Sequence, residues 1–120
     1  MPKILIVEDE ANIRKFMSVN LAARGYEVIE AEDAHEGLTR LRDESPAALL
    51  LDIRLPDMSG WELLEIMAAD PVYPQIPVIV ITASIGNNNL EHLNYKNLRK
   101  VLIKPVSIQE LTREVQDVLD

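Results

Sequence analysis

The chain has 120 residues, 48% of them hydrophobic and 27% charged, enough for one domain with a buried core and too few for two ordinary ones. A net charge of −8 argues against a direct nucleic-acid binder, which would carry a basic face. The absence of cysteine excludes disulfides, thiolate metal sites and cysteine nucleophiles; without a membrane-length apolar run or a signal-peptide pattern, the expected location is the cytoplasm.

Short apolar runs alternate with longer amphipathic ones, the pattern of βαβ units. A first strand is expected over about Lys3–Val7, followed by a helix with Ile13, Phe16, Met17 and Leu21 at helical spacing that stops at Gly25. The second strand, about Glu27–Ala31, mixes charged and apolar residues as an edge strand does. A second helix over about Ala34–Arg42 should bury Leu38 and Leu41. The third strand, Ala47–Asp52, is apolar on both faces and reads as central. LPDMSG is a loop, and a third helix is expected over about Gly60–Ala69. Pro71, Pro74 and Pro77 keep the next connection extended before a fourth strand, Val78–Thr82. Between Ala83 and Lys100, Asn87, Asn88 and Asn89 read as a turn or helix start, and Leu90, Leu93 and Leu98 form a weak helical stripe. A fifth strand is expected at about Val101–Ile103. The last helix opens near Ser107, paired with Glu110 in a capping box, and should bury Ile108, Leu111, Val115, Val118 and Leu119.

Four of these strands end in residues that suit phosphoryl transfer: Glu8 and Asp9 after the first, Asp52 after the third, Thr82 on the fourth and Lys104 after the fifth. If the strands are parallel, these groups meet at one sheet edge, where open α/β folds bind ligands. Carboxylates brought together in this way repel one another unless a cation sits among them, and hard oxygen ligands favour Mg²⁺. An aspartate can then act as a nucleophile toward phosphorus, while Lys104 neutralises phosphoryl oxygens and Thr82 donates to one. Each element also has an ordinary reading: an acidic pair as an exposed turn, a strand-end Thr as a β-former, a Lys before Pro as a solvated side chain. Their joint placement at four strand ends favours the functional reading.

The whole chain resembles the receiver domain of two-component response regulators, on the segments ILIVEDE, LLLDIRLPDMSGWEL, VIVITAS and VLIKP. Thr82 lies 30 residues after Asp52 and Lys104 lies 52 after it, as in that family. The resemblance implies a single domain over residues 1–120 with a flavodoxin-like (βα)5 fold, a doubly wound parallel sheet of strand order 2-1-3-4-5. It implies that Asp52 is the phosphoacceptor. Glu8, Asp9, Asp52 and the backbone carbonyl of Arg54 would bind Mg²⁺, and Thr82 and Lys104 would bind the phosphoryl group. The Lys104–Pro105 bond is expected to be cis, an isomer open mainly to X–Pro bonds. The implied donor is a histidine kinase or phosphotransfer protein, and the implied response is a switch of the face made by helix four, strand five and helix five, read by an effector domain or protein.

Several positions depart from the family pattern. Val101 replaces the aromatic residue whose ring rotates on activation, and Val106 replaces the Phe that commonly follows Lys-Pro. Arg99 and Lys100 stand where winged-helix regulators carry acidic dimer residues, so that dimer is not expected. Arg54, two residues beyond Asp52, is large and basic and could slow attack of water on an acyl phosphate. His35 and His92 read as solvent-exposed, Trp61 as packing at the start of the third helix, and Met17, Met58 and Met67 as core or loop packing. Three rival functions exist. A haloacid-dehalogenase-like phosphatase needs a second Asp where Arg54 stands, and a flavodoxin-type FMN binder needs a phosphate loop where EDE would repel the phosphate. A pseudo-receiver would bind partners without phosphorylation.

Overall fold

The computed structural model describes residues 1–83 and 96–120. Five strands, β1 (Lys3–Val7), β2 (Glu27–Ala31), β3 (Ala48–Leu51), β4 (Val78–Thr82) and β5 (Leu98–Ile103), form one all-parallel sheet in the order β2-β1-β3-β4-β5. The described helices are α1 (Ala11–Ala23), α2 (Ala34–Glu44), α3 (Gly60–Ala69) and α4 (Ile108–Leu119). The sheet type and strand order are those implied by the resemblance. The helix labelled α4 is the expected last helix; the Asn87–Asn89 turn, most of the weak leucine stripe and His92 lie outside the described residues.

The sheet separates two apolar layers, and the alternation of side chains along each strand assigns residues to them. Leu5, Val7, Leu49, Leu51, Val78 and Val80 point to the side covered by α2 and α3, where Leu38, Leu41, Leu63 and Met67 meet them. Ile4, Ile6, Leu50, Ile79, Ile81 and Leu102 point to the side covered by α1 and α4, against Met17, Leu21, Leu111 and Val115. Both β3 and β4 are buried along their whole length, which is why their sequences are apolar without interruption.

Local signals set the helix ends. Asp33, Ser59 and Ser107 each cap the following helix, their side chains accepting from Glu36 N, Trp61 N and Glu110 N respectively. Gly25, just past α1, has φ +94°, a left-handed conformation that glycine reaches without a Cβ penalty. No helix among the described residues is long and apolar enough to cross a membrane.

Five expectations need correction. β5 begins at Leu98, three residues earlier than Val101, so Leu98 belongs to a strand and not to a helical stripe. Its pairing with β4 slips between Val78 and Ile79, which match Leu98 and Lys100, leaving Arg99 without a register partner; this breaks the alternation a sequence reading looks for. On α4 the buried positions are Leu111, Thr112, Glu114 and Val115, while Ile108, Val118 and Leu119 are half-buried. Thr112 is accommodated because its hydroxyl donates to the Ile108 carbonyl (2.8 Å), and Glu114 because Lys100 lies 3.6 Å away. Phe16 is substantially exposed: Ile13, Met17 and Leu21 carry the inward line of α1, and Phe16 borders a groove beside it. Finally, α2 runs two residues beyond Arg42, and β3 excludes Ala47 and Asp52.

Candidate functional site

In a sheet of order 2-1-3-4-5 the chain leaves β1 toward one edge and returns to β3 on the other side, opening a crevice at the carboxyl ends of these two strands. Glu8 and Asp9 directly follow β1, and Asp52 directly follows β3. The backbone ties the two ends together, since Asp52 N donates to Val7 O at 3.0 Å and Glu8 N donates to Ala31 O at 3.0 Å. One carboxylate oxygen from each of Glu8, Asp9 and Asp52 lies within 4.8 Å of the others. Glu8 and Asp52 are 1% and 5% exposed, whereas Asp9 faces solvent.

Lys104 enters this cluster from the end of β5. Its Nζ donates to Glu8 Oε1 at 2.8 Å and to Asp52 Oδ2 at 3.0 Å, so one ammonium bridges the two buried acids. The remaining carboxylate oxygens are also held: Glu10 N donates to Glu8 Oε2 at 3.1 Å, and Arg54 N donates to Asp52 Oδ1 at 3.2 Å. Burial pushes the Glu8 carboxyl up to about 7, against the lowering effect of its bonds to Lys104 and Glu10 N. Burial works to lower the Lys104 pKa, but the Glu8 and Asp52 carboxylates outweigh it and hold the ammonium above the usual lysine value.

Thr82 is buried at the end of β4, two residues beyond Val80, the register partner of Leu51. It pairs with Ile103, and its carbonyl accepts from Lys104 N at 2.8 Å. The Lys104–Pro105 peptide bond is cis. Glu8, Asp9, Asp52 and Lys104 thus converge directly, with Thr82 on the neighbouring strand end. The Arg54 side chain is exposed, and its backbone forms an isolated antiparallel bridge with Ser59. Val101 is half-buried and packs on the α2–α3 side of the core.

The loop after Asp52 is tight. Gly60 N donates to Ile53 O at 2.8 Å, and a Cβ on Gly60 would lie 2.6 Å from the Asp52 carbonyl oxygen. Two charged residues near the site escape a sequence reading. Asp57 accepts from Ala34 N and His35 N, both at 2.9 Å, and pairs with the His35 ring, fastening this loop to the start of α2. Its partners lie 23 and 22 residues earlier in the chain, so no local pattern reveals them. His35 is exposed as expected, but it has this partner. Arg14 reaches back from α1 to donate from Nη1 to the Glu8 carbonyl at 2.7 Å, a contact that no side-chain spacing reveals.

Between α1 and α4, beside Lys104, a largely apolar groove of about 440 Å³ is lined by Ile13, Phe16, Met17, Ile81, Pro105 and Val106, among others.

The model of the response regulator receiver domain family matches residues 4–116. The chain belongs to that family. This receiver domain is 36% identical over 116 residues to the phosphate regulon transcriptional regulatory protein PhoB of Pseudomonas aeruginosa, covering 97% of the chain and 51% of PhoB. It is 32% identical to the polar-differentiation response regulator DivK of Brucella anthropi, covering 99% of the chain and 98% of DivK. The chain therefore spans about half the length of the first relative and nearly all of the second. Among solved structures, a CheY-like receiver domain protein from Methanospirillum hungatei superposes with a TM-score of 0.91 at 33% identity, covering 100% of this chain and 94% of the other. The chemotaxis response regulator CheY4 of Vibrio cholerae gives 0.88 at 27% identity, covering 99% of each chain.

Proposed function

We propose that this receiver domain takes a phosphoryl group onto Asp52 from the phosphohistidine of a histidine kinase or phosphotransfer protein, in a Mg²⁺-dependent reaction. The observation that carries this reading is the bridging of two buried carboxylates, Glu8 and Asp52, by Lys104, with Asp9 beside them at the solvent face. The donor set is all hard oxygen and closely spaced, which suits a small divalent cation, and the candidate ligands are Glu8, Asp9, Asp52 and the Arg54 carbonyl. When bound, Mg²⁺ would screen the charge of the incoming phosphoryl oxygens and of the acidic cluster.

The residues of the chain account for the other requirements. Arg54 N and Lys104 Nζ each hold one Asp52 oxygen, which orients the carboxylate before attack. An Asp52 oxygen attacks phosphorus, the P–N bond breaks, and its electron pair goes to the donor's imidazole nitrogen, which takes up a proton. Lys104 and the Thr82 hydroxyl then bind phosphoryl oxygens of the resulting acyl phosphate. The groove between α1 and α4 opens beside Lys104 and gives the donor protein an apolar surface next to the acceptor. Phosphorylation would bias the packing of the face that includes β5 and α4, with Val101 as an aliphatic element of that relay, for an effector domain or protein to read. The domain would act as a signalling module in the cytoplasm and not as an enzyme on an external substrate.

The test is incubation with acetyl phosphate and Mg²⁺ followed by intact mass. Wild type should gain one phosphoryl group, and Asp52→Asn should gain none. No gain in either, with Mg²⁺ binding intact, would replace this reading with that of a phosphorylation-independent interaction module.

A further inference from the structure

Glu8 and Asp9 are consecutive, so the direction in which each carboxylate leaves the chain depends on the peptide unit that joins them. That unit is planar, and turning it changes ψ of Glu8 and φ of Asp9 together. Its carbonyl is the Glu8 carbonyl, which accepts from Arg14 Nη1 at 2.7 Å. The same guanidinium donates from Nε to Glu30 Oε1 at 3.1 Å, and Ser18 Oγ donates to Glu30 Oε2 at 3.1 Å. A side chain on α1 is thus braced against β2 while it grips the loop between β1 and α1.

We propose that Arg14 is a positioning residue for the cation site, fixing the Glu8–Asp9 peptide so that both carboxylates converge with Asp52, while Glu30 offsets the positive charge this places near the site. The proposal rests on the reading of Glu8, Asp9 and Asp52 as Mg²⁺ ligands. Its logic is set by a conflict of signs. As a charge, a guanidinium near an acidic cluster opposes a divalent cation, so deleting it should tighten binding. As a brace, deleting it lets the peptide turn, and binding weakens.

The two effects separate in a Mg²⁺ titration by calorimetry of wild type, Asp9→Asn, Arg14→Gln and Arg14→Lys. Losing a group that orients metal ligands typically weakens binding by about 10-fold or more. Arg14→Gln should show a loss of that order, and Arg14→Lys, which keeps the charge but loses the planar fork, should also be weakened. With acetyl phosphate, the Mg²⁺ concentration for half-maximal phosphorylation should rise in both variants, while the rate at saturating Mg²⁺ stays near wild type. A purely structural role would lower the metal-free melting temperature and leave the Mg²⁺ affinity unchanged, which would overturn the proposal. Unchanged or tighter binding in Arg14→Gln would overturn it as well. Should Arg14→Gln not fold, Arg14→Lys carries the same test. Wild type failing to bind Mg²⁺ at all would overturn the cation reading itself, and this proposal with it, whereas normal wild-type binding with unaffected Arg14 variants removes the proposal alone.

Discussion

Lys104 stands between two acids that are almost wholly withdrawn from water, and removing it leaves them facing each other without a cation. Deleting one partner of a buried ionic cluster costs about 3 kcal/mol or more. Lys104→Met should therefore lower the metal-free stability by that order in urea unfolding. Mg²⁺ should restore more stability to this variant than to wild type, because the ion supplies the positive charge that the substitution removes. Gly60 is the second sensitive position. A methyl group there meets backbone atoms, the Asp52 carbonyl oxygen at 2.6 Å and Ile53 Cα at 2.9 Å, which cannot step aside as a side chain would. Gly60→Ala should cost about 1–3 kcal/mol and slow acetyl phosphate uptake, since relief of the clash moves Asp52. The residues proposed to bear the chemistry were legible because each ends an apolar run. Arg14 and Asp57 were not, because what they hold is backbone, brought near only by the folded chain.

At the level of elements, the fastening of the loop after β3 to the start of α2 has a pH signature. Partial burial works against the charged form of Asp57, but the N–H groups of Ala34 and His35 and the His35 ring outweigh it and bring the pKa from 3.8 down to about 2. An unfolded aspartate is protonated at a higher pH than this one, so between the two values the unfolded chain binds more protons. The stabilisation is complete above about pH 4 and is lost as pH falls through about 2. Asp57→Asn should remove that acid-limb slope from a plot of unfolding free energy against pH. At neutral pH it should cost about 1 kcal/mol, in the range of helix-cap losses. The same scale shows why some strands were easier to read than others. β1, β3 and β4 are flanked on both sides and are apolar along almost their whole length, Lys3 and Thr82 at strand ends apart, a pattern that needs no context. β5 lies at the sheet edge, carries Arg99 and Lys100 exposed, and slips register, so its first half does not read as strand and Leu98 falls in a helical stripe.

For the molecule as a whole, the proposed Mg²⁺ binding would be linked to folding. A cation that binds only the folded state adds about 2.7 kcal/mol at 100 times its dissociation constant. Titrating Mg²⁺ into a thermal melt should raise the wild-type midpoint steadily, and Asp9→Asn should flatten that rise with little change in the metal-free midpoint, since Asp9 is exposed and makes no buried ion pair among the described residues. Fold class and strand order follow from the alternation of elements together with the family resemblance, and the described sheet agrees with them. The acidic cluster has a further consequence, because it is lopsided: one carboxylate looks outward and two look inward. A hydrated ion entering the proposed site from solution would meet the exposed Asp9 before the buried Glu8 and Asp52. The outer acid should then govern how often ions enter, and the inner pair how long they stay. Stopped-flow exchange on Asp9→Asn and Glu8→Gln would separate the two, the first changing mainly the arrival rate and the second mainly the residence time.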